Sequence, residues 1–423
     1  MTIKRYYHGF EIVKDNCTGC TSCVRVCPTE AMRVREGKVE IDATRCIDCG
    51  NCVSVCKYKA LVPHPDPLEK IRKFPYSAAI VTSAFAGQFS ENISYKEVLA
   101  AVKKLGFNLV IEESMITGFM VRLIREYVRE NKHIRPILSS NCPAVVRLIQ
   151  VRFPSLLPNL LLMESPMGIL AQYYRQKIAD EQKLEPEEIG IFNIIPCIAE
   201  LTATHAPEGA RQKLYDGAFS IKVIYNEVKQ ILNSGEKLDT DFESYDAGLA
   251  WTLSGVEADL VDCDDIRTLS VNGIENVKDV LSKVEDHYLD QYDYIVVRNC
   301  KNGCVGGVLN VENPFVAMSR IKKLTKEARK VEFDDSEISE MNRQDAFKVD
   351  PILPRSMMKL DPDIKIALTK MKKLNEILTQ LPGLNCSACG SPNCYSLAED
   401  IVQGRAALDD CIILLKQTKE EEK

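Results

Sequence analysis

The 17 cysteines are the most distinctive residues of this chain, because nearly all of them fall in short groups. Residues 1–10 lack the apolar stretch and the small-residue cleavage site of a secretory signal, so a disulfide framework is not expected. Grouped thiols in a reducing compartment are typical of metal sites. Four sets of four thiolates account for all but Cys263, which is interpreted as a small buried hydrophobe.

Two runs near the N-terminus share the spacing C-x2-C-x2-C-x3-C and are offset by 29 residues. In such runs three close thiolates bind one [4Fe–4S] cube, and the fourth reaches a second cube. Zinc is the alternative, but one tetrahedral ion needs only two C-x2-C pairs. The spacing resembles that of bacterial two-cluster ferredoxins, although Lys57 stands where proline is expected. The predicted sets are Cys17, Cys20, Cys23 and Cys56 for one cube and Cys46, Cys49, Cys52 and Cys27 for the other.

A third group lies near the C-terminus and has the spacing C-x2-C-x4-C-x16-C: Cys386, Cys389, Cys394 and Cys411. A Gly-Ser-Pro turn at 390–392 is predicted to bring three thiolates together, and residues 395–411 are predicted to form one helix that returns the fourth. The group resembles a small four-cysteine [4Fe–4S] domain of corrinoid iron–sulfur proteins. Zinc is a stronger competitor here than at the N-terminus.

Between these groups the sequence alternates between strands and helices, which is typical of an α/β domain. Strands are predicted at 78–85, 108–114 and 294–298, and amphipathic helices at 95–106 and 119–131. The pair Glu112-Glu113 is interpreted as a solvated turn after a strand, with a role in a proton path as the alternative. Residues 61–67, with three prolines, are predicted to be a linker without regular structure.

The central part holds four further cysteines, in the contexts SSNCPAVV, IIPCIAEL and RNCKNGCVGG: Cys142, Cys197, Cys300 and Cys304. Ends of strands and loops are where α/β folds assemble their sites, so these thiolates could hold another cube. The three contexts resemble the three cysteine motifs of the [FeFe]-hydrogenase catalytic domain. With the two flanking groups, the chain looks most like the group D, sensory-type hydrogenase-like proteins. The resemblance implies that all four thiolates hold the cube and that Cys304 also bridges it to a two-iron unit with CO and CN ligands.

Several positions depart from that family. Asn141 replaces the proton-shuttling cysteine, and Ile195 replaces a methionine before the second motif's Pro-Cys. Glu200 replaces the lysine that donates to a cyanide, while Val296 and Arg298 replace a glutamate and a methionine. A carboxylate beside an anionic cyanide removes a charge-assisted donor and adds repulsion. The catalytic residues are therefore unknown, and we predict that the cube is kept whereas the two-iron unit is absent.

The predicted architecture is a multidomain α/β protein with three parts. These are a ferredoxin-like dicluster head (1–63), a hydrogenase-like body (77–357) and a small helical iron–sulfur tail (375–423). We expect four [4Fe–4S] clusters and an electron-transfer subunit of a larger redox complex. A slow hydrogen-converting or hydrogen-sensing enzyme, which would exchange H2 for protons with ferredoxin-like carriers, is one alternative. A non-catalytic redox sensor is the other.

Composition bounds the partners. A net charge of −6 gives no reason to expect nucleic acid, and we find no apolar run long enough to span a membrane. No G-x-G-x-x-G or G-x4-G-K-[ST] motif indicates a bound nucleotide or flavin. We therefore predict a cytoplasmic protein, and the resemblance to hydrogenases implies an anaerobic source. Its predicted partners are redox proteins (ferredoxin, or subunits that depend on flavin or nicotinamide) or a regulatory protein.

Overall fold

The computed structural model describes residues 6–240, 247–328, 336–355 and 360–421. The chain divides into two compact units, which we treat separately. The first unit comprises Met1–His64 with Pro354–Lys423, and the second comprises Pro65–Leu353. The cysteines of the predicted head and tail therefore lie together in the first unit, and those of the predicted body lie in the second.

The strands are β1 (Phe10–Ile12), β2 (Met32–Arg35), β3 (Lys38–Ile41), β4 (Leu61–Pro63), β5 (Tyr76–Val81), β6 (Leu109–Glu112), β7 (Ile137–Leu138), β8 (Ile189–Ile195), β9 (Gly217–Ser220), β10 (Thr268–Asn272) and β11 (Tyr294–Arg298). The helices are α1 (Ser22–Arg25), α2 (Asn51–Val55), α3 (Tyr95–Lys104), α4 (Thr117–Glu130), α5 (Pro143–Arg152), α6 (Pro166–Gln182), α7 (Ile198–His205), α8 (Ile221–Asn233), α9 (Val256–Val261), α10 (Ile274–Glu285), α11 (Pro314–Glu327), α12 (Ser336–Arg343), α13 (Ile364–Gln380), α14 (Cys394–Val402) and α15 (Ile412–Glu421). No helix among the described residues is both long enough and apolar enough to cross a bilayer.

In the first unit, the two N-terminal cysteine runs have matching backbones as well as matching spacing. Each run contains three residues with positive φ at equivalent positions, and these residues turn the chain tightly round a common centre. The equivalent pairs are Gly19 and Asp48, Thr21 and Gly50, and Glu30 and Lys59. Strands β1 and β4 close the repeat as an antiparallel pair. The prediction that 61–67 lacks regular structure is therefore wrong for Leu61–Pro63, which find hydrogen-bond partners in β1.

The C-terminal part of the first unit is helical. Helix α13 packs on α14 through a small apolar cluster that includes Leu374, Ile377 and Leu397. The prediction of one helix over 395–411 is wrong, because α14 ends at Val402. Gly404 then adopts a positive φ of 72°, which turns the chain away from the helix direction. A short 3₁₀ turn at Leu408–Asp410 precedes Cys411.

The second unit is built on a four-stranded parallel sheet in the order β6-β5-β8-β9. Successive side chains of β5 enter two different cores: Ala78 and Ile80 pack with residues of α4 and α6, whereas Ala79 and Val81 pack with residues of α3 and α8. Helices therefore cover both faces of this sheet, as parallel sheets require. The predicted α/β body is confirmed.

A second parallel sheet, in the order β10-β11-β7, completes this unit. The predicted strand 294–298 agrees with β11 at both ends. The strand predicted at 78–85 begins earlier and stops at Val81, because Ser83–Gln88 form a buried 3₁₀ helix. The helix predicted at 95–106 is α3, and a reciprocal capping box between Ser94 and Glu97 marks its start. The helix predicted at 119–131 is α4, which ends one residue before Asn131.

Candidate metal centres

The first predicted head set converges on one cavity, which is lined by Cys17, Cys20, Cys23 and Cys56 together with Val34 and Val39. Burial, followed by the charges of Cys20 and Cys17, raises the pKa of Cys23 to about 11. Cys56 adds to this effect although it belongs to the other run. Thiols whose charges raise the pKa of Cys23 lie close to it, as a shared multivalent cation requires.

The second head set behaves similarly but is more buried. Burial, followed by Cys27, raises the pKa of Cys49 to about 12, and the pKa of Cys46 and of Cys52 is raised well above its usual value, again chiefly by burial. Cys27 contributes to the pKa of all three thiols although it lies in the first run. The structure therefore brings together the residues of the crossed assignment. Their role as cluster ligands stays a prediction.

Backbone amides support the two exchanged thiols in the same way. The amide of Ala31 donates to Cys27 Sγ at 3.2 Å, and the amide of Ala60 donates to Cys56 Sγ at 3.3 Å. The donor lies four residues after the thiol in each run, so the repeat extends to the hydrogen bonds. Amide hydrogen bonds to sulfur are one means by which proteins adjust cluster potentials.

The four cysteines of the tail also line a single cavity. Cys386 is exposed, Cys389 and Cys394 are partly buried, and Cys411 is buried. Burial raises the pKa of Cys389, and Cys411 raises it further. The set is thus assembled as predicted in space, and thiolate-only coordination suits either a cube or zinc.

The body set is assembled from three strand ends rather than from one loop. Cys142 follows β7 and caps α5, and Cys197 follows β8 and caps α7. Cys300 lies two residues beyond β11, and Cys304 opens a 3₁₀ turn. Carboxyl ends of parallel strands are where α/β folds place ligand sites.

Close contacts hold the three motifs of the body together. The amide of Asn299 donates to Cys142 Sγ and lowers its pKa, although burial raises it overall. Gly307 packs directly on the backbone of Pro196, where a Cβ would lie 2.3 Å from the carbonyl oxygen. Only glycine allows this approach, which places the third motif beside Cys197. Burial, followed by Glu200 and Cys300, raises the pKa of Cys197 well above its usual value.

Arg298 is a buried cation beside this set. Its guanidinium lies 3.7 Å from Cys304 Sγ, donates to Glu257 at 2.8 Å and donates to the carbonyls of Trp251 and Thr252. Burial alone would lower the pKa of Arg298, but Cys304 and Glu257 outweigh it and keep the pKa above its usual value. Arg298 therefore faces the thiolate set as a permanent positive charge.

Glu257 carries the other half of this network. One carboxylate oxygen accepts hydrogen bonds from Tyr294 Oη at 2.7 Å, Asn141 Nδ2 at 2.9 Å and Ser139 Oγ at 3.0 Å, while the other pairs with Arg298. The side chain at the position of the family's proton-shuttling cysteine is thus an amide bound to a carboxylate. An amide does not exchange its protons as a thiol does.

A cavity of about 110 Å³ lies beside the body set, and Asn141 and Glu200 both line it. Glu164 lines it as well, and burial raises the pKa of that carboxyl to about 7. Burial, followed by Glu113, raises the pKa of Glu200 to about 7. Among the described residues, neither the Glu164 nor the Glu200 carboxyl accepts a hydrogen bond. The cavity wall is therefore acidic.

The cavity does not fit a two-iron unit that carries anionic cyanides. Its buried cation, Arg147, donates to the carbonyls of Ala199 and Ala206 and lies 3.8 Å from Glu208. The other nearby cation, Arg298, is held by Glu257. At the position of the family's lysine, Glu200 offers a carboxylate in place of a charge-assisted donor and adds negative charge to the wall.

Two interpretations of single residues need revision or extension. The pair Glu112-Glu113 is not a solvated turn, because both side chains are buried and Glu113 accepts hydrogen bonds from Thr82 and Ser83. Burial raises the pKa of Glu112 to about 7. Cys263, interpreted as a buried hydrophobe, is only partly buried: it packs at the edge of a core, and its thiol donates to Asp265 at 3.3 Å.

Three residues of this site were not predicted from the sequence: Glu257, Glu164 and Arg147. Glu257 is one acid within a short helix, and nothing in its local pattern marks it as buried. Glu164 precedes the Ser-Pro start of α6, where an acidic residue is unremarkable. Arg147 interrupts the apolar run of α5 and is fully buried. A charged residue inside an apolar helix was the single available signal.

Comparison with known proteins agrees with these features. Residues 76–233 match the family model for the C-terminal domain of the iron only hydrogenase large subunit. Residues 10–57 match a 4Fe-4S dicluster domain, and residues 381–413 match an Fe-S cluster domain. The resemblance to [FeFe]-hydrogenases is confirmed. The two iron–sulfur models cover the head and tail sets, whereas the hydrogenase model covers Cys142 and Cys197 of the body set and ends before Cys300 and Cys304.

Curated relatives include two hydrogenases and one assembly protein. The chain is 22% identical to the NADP-reducing hydrogenase subunit HndD of Solidesulfovibrio fructosivorans, over 69% of this chain and 55% of that protein. It is 27% identical to the periplasmic [Fe] hydrogenase large subunit of Nitratidesulfovibrio vulgaris, over 48% and 52%. Cytosolic iron-sulfur assembly component 3 of Bos taurus is 23% identical, over 47% and 40%. The chain thus spans about half the length of these relatives.

Solved structures show the same fold. An apo form of the [FeFe]-hydrogenase HydA1 from Chlamydomonas reinhardtii, with one cysteine changed to histidine, matches with a TM-score of 0.54 and 13% identity. A glutamate-to-alanine variant of the same enzyme matches with a TM-score of 0.52 and 14% identity. Both alignments cover 68% of this chain and 98% of the other.

Proposed function

We propose that this chain is an electron-transfer protein derived from an [FeFe]-hydrogenase, which binds four [4Fe–4S] clusters and lacks the two-iron unit. When bound, such clusters supply one-electron oxidation and reduction. The chain's own part is to gather the thiolates, exclude water from them and set their potentials through nearby charge and hydrogen bonds. Arg298 is the strongest such group in the body, since a cation beside thiolates favours the reduced, more negative state of what they hold.

The observation that carries this proposal is the acidic wall of the cavity beside the body set. Glu200 occupies the position of the lysine that donates to cyanide in the family, and Glu164 lies in the same wall without a hydrogen-bond donor. Both carboxyls have a pKa of about 7, so each carries partial negative charge at neutral pH. Anionic cyanides would meet repulsion there instead of a donor.

We also propose that the chain works as a subunit of a larger redox complex. The similarity to HndD, which is named a subunit of an NADP-reducing hydrogenase, supports this view. Partners would be ferredoxin or subunits that depend on flavin or nicotinamide, because this chain has no nucleotide-binding motif of its own. Anaerobic co-purification from the native source, followed by identification of the bound chains, tests this part. A kinase-like or other regulatory partner would favour the sensor alternative.

The test of the central proposal is an infrared spectrum of anaerobically purified protein, co-expressed with the hydrogenase maturation machinery. We expect no bands in the region of metal-bound CO and CN, together with iron content near that of four cubes. Sharp bands there would overturn the proposal and favour a slow hydrogen-converting enzyme. Low iron with bound zinc would overturn the cluster assignment itself.

The variant Glu200→Lys restores the missing donor and sharpens this test. We expect it to recover infrared bands when the protein is matured in the same way, because the lysine offers cyanide a charge-assisted hydrogen bond. Glu200→Gln is the matched control, since it removes the negative charge but supplies no cation. Equal spectra for both variants and the wild type would show that another departure, such as Asn141, limits binding.

A further inference from the structure

The C-terminal turn that carries Cys389 lies directly against strand β2 of the first unit. The amide of Val34 donates to the carbonyl of Gly390 at 2.8 Å. The guanidinium of Arg35 donates to the carbonyl of Cys389 at 3.3 Å, and Arg25 reaches the carbonyl of Cys386 at the same distance. Two of the four tail cysteines are therefore tied through their backbones to the cysteine-bearing head.

Val34 also lines the cavity of the first head set, together with Cys17, Cys20, Cys23 and Cys56. The residue that touches the tail turn thus borders the head cavity as well. A path from Cys389 to that cavity crosses one covalent step to Gly390, one hydrogen bond to Val34 and no other residue. No comparable contact links the tail to the second head set among the backbone hydrogen bonds of the described residues.

Glycine at 390 is what permits this approach. Gly390 has a φ of 80°, and a Cβ there would lie 2.1 Å from the carbonyl oxygen of Val34. A side chain would have to push the turn away from β2, since the obstructing oxygen belongs to backbone. Gly383 has a similar φ of 69° and open space around its hypothetical Cβ. The two glycines therefore differ in contact rather than in conformation.

Buried ion pairs fix the same arrangement from the side of α14. Asp400 is 2% exposed at its side chain and accepts from Arg33 at 2.6 Å and Arg35 at 2.7 Å, both on β2. The neighbouring Glu399 pairs with Arg45. These contacts leave the tail turn one orientation against the head, which a flexibly tethered domain would not have.

We propose that the tail centre exchanges electrons directly with the first head centre, and that Val34 and Gly390 are the positioning residues for this exchange. The proposal rests on the proposed electron-transfer function. With cubes held by both cysteine sets, the exchange would move one electron from the reduced tail cube, which would be oxidised, to the oxidised head cube, which would be reduced; no proton or bond would change. Because electron-transfer rates fall steeply with distance, a single-residue separation favours this pair over any pair that lacks it.

The experiment is electron paramagnetic resonance on the full-length protein with its clusters, fully reduced by dithionite under anaerobic conditions. Two reduced cubes in near contact broaden or split each other's signals and speed their relaxation. We expect the first head centre to lose this interaction in Cys411→Ser, which removes a tail ligand. We expect Gly390→Ala to weaken the interaction while retaining the tail cube, and Gly383→Ala to leave it as in the wild type.

Iron content and the visible absorbance change on reduction are measured first, so that failure of the proposed function is recognised separately. Absence of reducible cubes would overturn the electron-transfer function. Cubes that reduce normally but give the same head signal with and without the tail cube would overturn this inference alone. An equal effect of Gly390→Ala and Gly383→Ala would show that the Val34 contact does not position the tail centre.

Discussion

The two units bury carboxylates in opposite ways. In the first unit, Glu399 and Asp400 are buried and each pairs with arginine. In the cavity of the second unit, the Glu164 and Glu200 carboxyls lie in an acidic wall and accept no hydrogen bond from a described residue. Paired carboxylates hold segments together, whereas unpaired ones carry a free-energy cost whenever they ionise.

This difference between paired and unpaired carboxylates distinguishes a structural role from a possible role in a functional site. Asp400 joins α14 to the hairpin strand β2, so its charge serves the arrangement of the chain. Among the described residues, no salt bridge or hydrogen bond joins the Glu164 carboxyl to another segment, and burial raises its pKa to about 7. Clefts with perturbed carboxyls are typical of functional sites. The cavity beside the body set thus keeps the character of a site even though its wall opposes the two-iron unit.

The largest expected effect tests whether a buried carboxylate stabilises the fold because it is paired with arginine, and not because of the unit in which it lies. The Arg298–Glu257 pair lies in the second unit but is paired and buried, with side chains 6% and 1% exposed. Arg298→Met leaves Glu257 buried without its cation, so we expect the free energy of unfolding to fall by about 3–5 kcal/mol. Urea unfolding followed by fluorescence of Trp251, the single tryptophan, measures it.

The matched control is Arg129→Met, which breaks an exposed pair with Asp265 and is expected to cost about 0–1 kcal/mol. The double variant Arg298→Met with Glu257→Gln should recover part of the loss, because it no longer buries an unpaired charge. Equal losses for Arg298→Met and Arg129→Met would show that burial of the Arg298–Glu257 pair adds nothing to the cost of breaking it.

The second expected effect is a gain in the free energy of unfolding, and it depends on pH. Burial raises the pKa of Glu164 from 4.5 to about 7, so the unfolded chain releases this proton more readily. The stability from the protonated carboxyl is complete below pH 4.5 and is lost as the pH rises through 7. We expect Glu164→Gln to match the wild type near pH 4.5 and to exceed its unfolding free energy by about 3 kcal/mol above pH 7.

Trp251 fluorescence across that pH range checks the expectation, with Glu340→Gln as control, because Glu340 is 56% exposed. A difference between Glu164→Gln and the wild type that is constant with pH would point to lost packing rather than to charge. A pH-dependent gain in Glu340→Gln as well would show that surface charge, not the cavity, is responsible.

Local spacing carried most of what the sequence could predict. Most cysteines of the head and tail sets lie within short runs, so the residues beside them already indicate the turns that bring the thiols together. Strand β11 was likewise predicted at both ends, because residues 295–297 are apolar and β-branched and Arg298 ends the run. Three strand ends assemble the body set, and there the resemblance to a family was needed to group the cysteines.

What the sequence could not supply were contacts between distant residues. Glu257 contacts Arg298, which is 41 residues away in the sequence, and Asn141, which is 116 residues away; no local pattern predicts either contact. The burial of Glu112 and Glu113 was missed for the same reason, since two acids after a strand usually face solvent. The packing of the Gly390 turn on Val34 likewise joins the two ends of the chain.

The smallest effect sharpens the comparison within one pair. Ser139 Oγ donates to Glu257 at 3.0 Å, but that carboxylate keeps Tyr294, Asn141 and Arg298 after the hydroxyl is removed. Ser139→Ala should therefore lower the unfolding free energy by about 1 kcal/mol, which is the net worth of one hydrogen bond. Trp251 fluorescence in urea measures the loss. A loss of unfolding free energy near that of Arg298→Met would mean that the whole hydrogen-bond network, rather than the single ion pair, stabilises the Glu257 carboxylate. The contrast with unpaired Glu164 would then depend on how well each carboxylate is solvated by hydrogen bonds rather than on charge pairing.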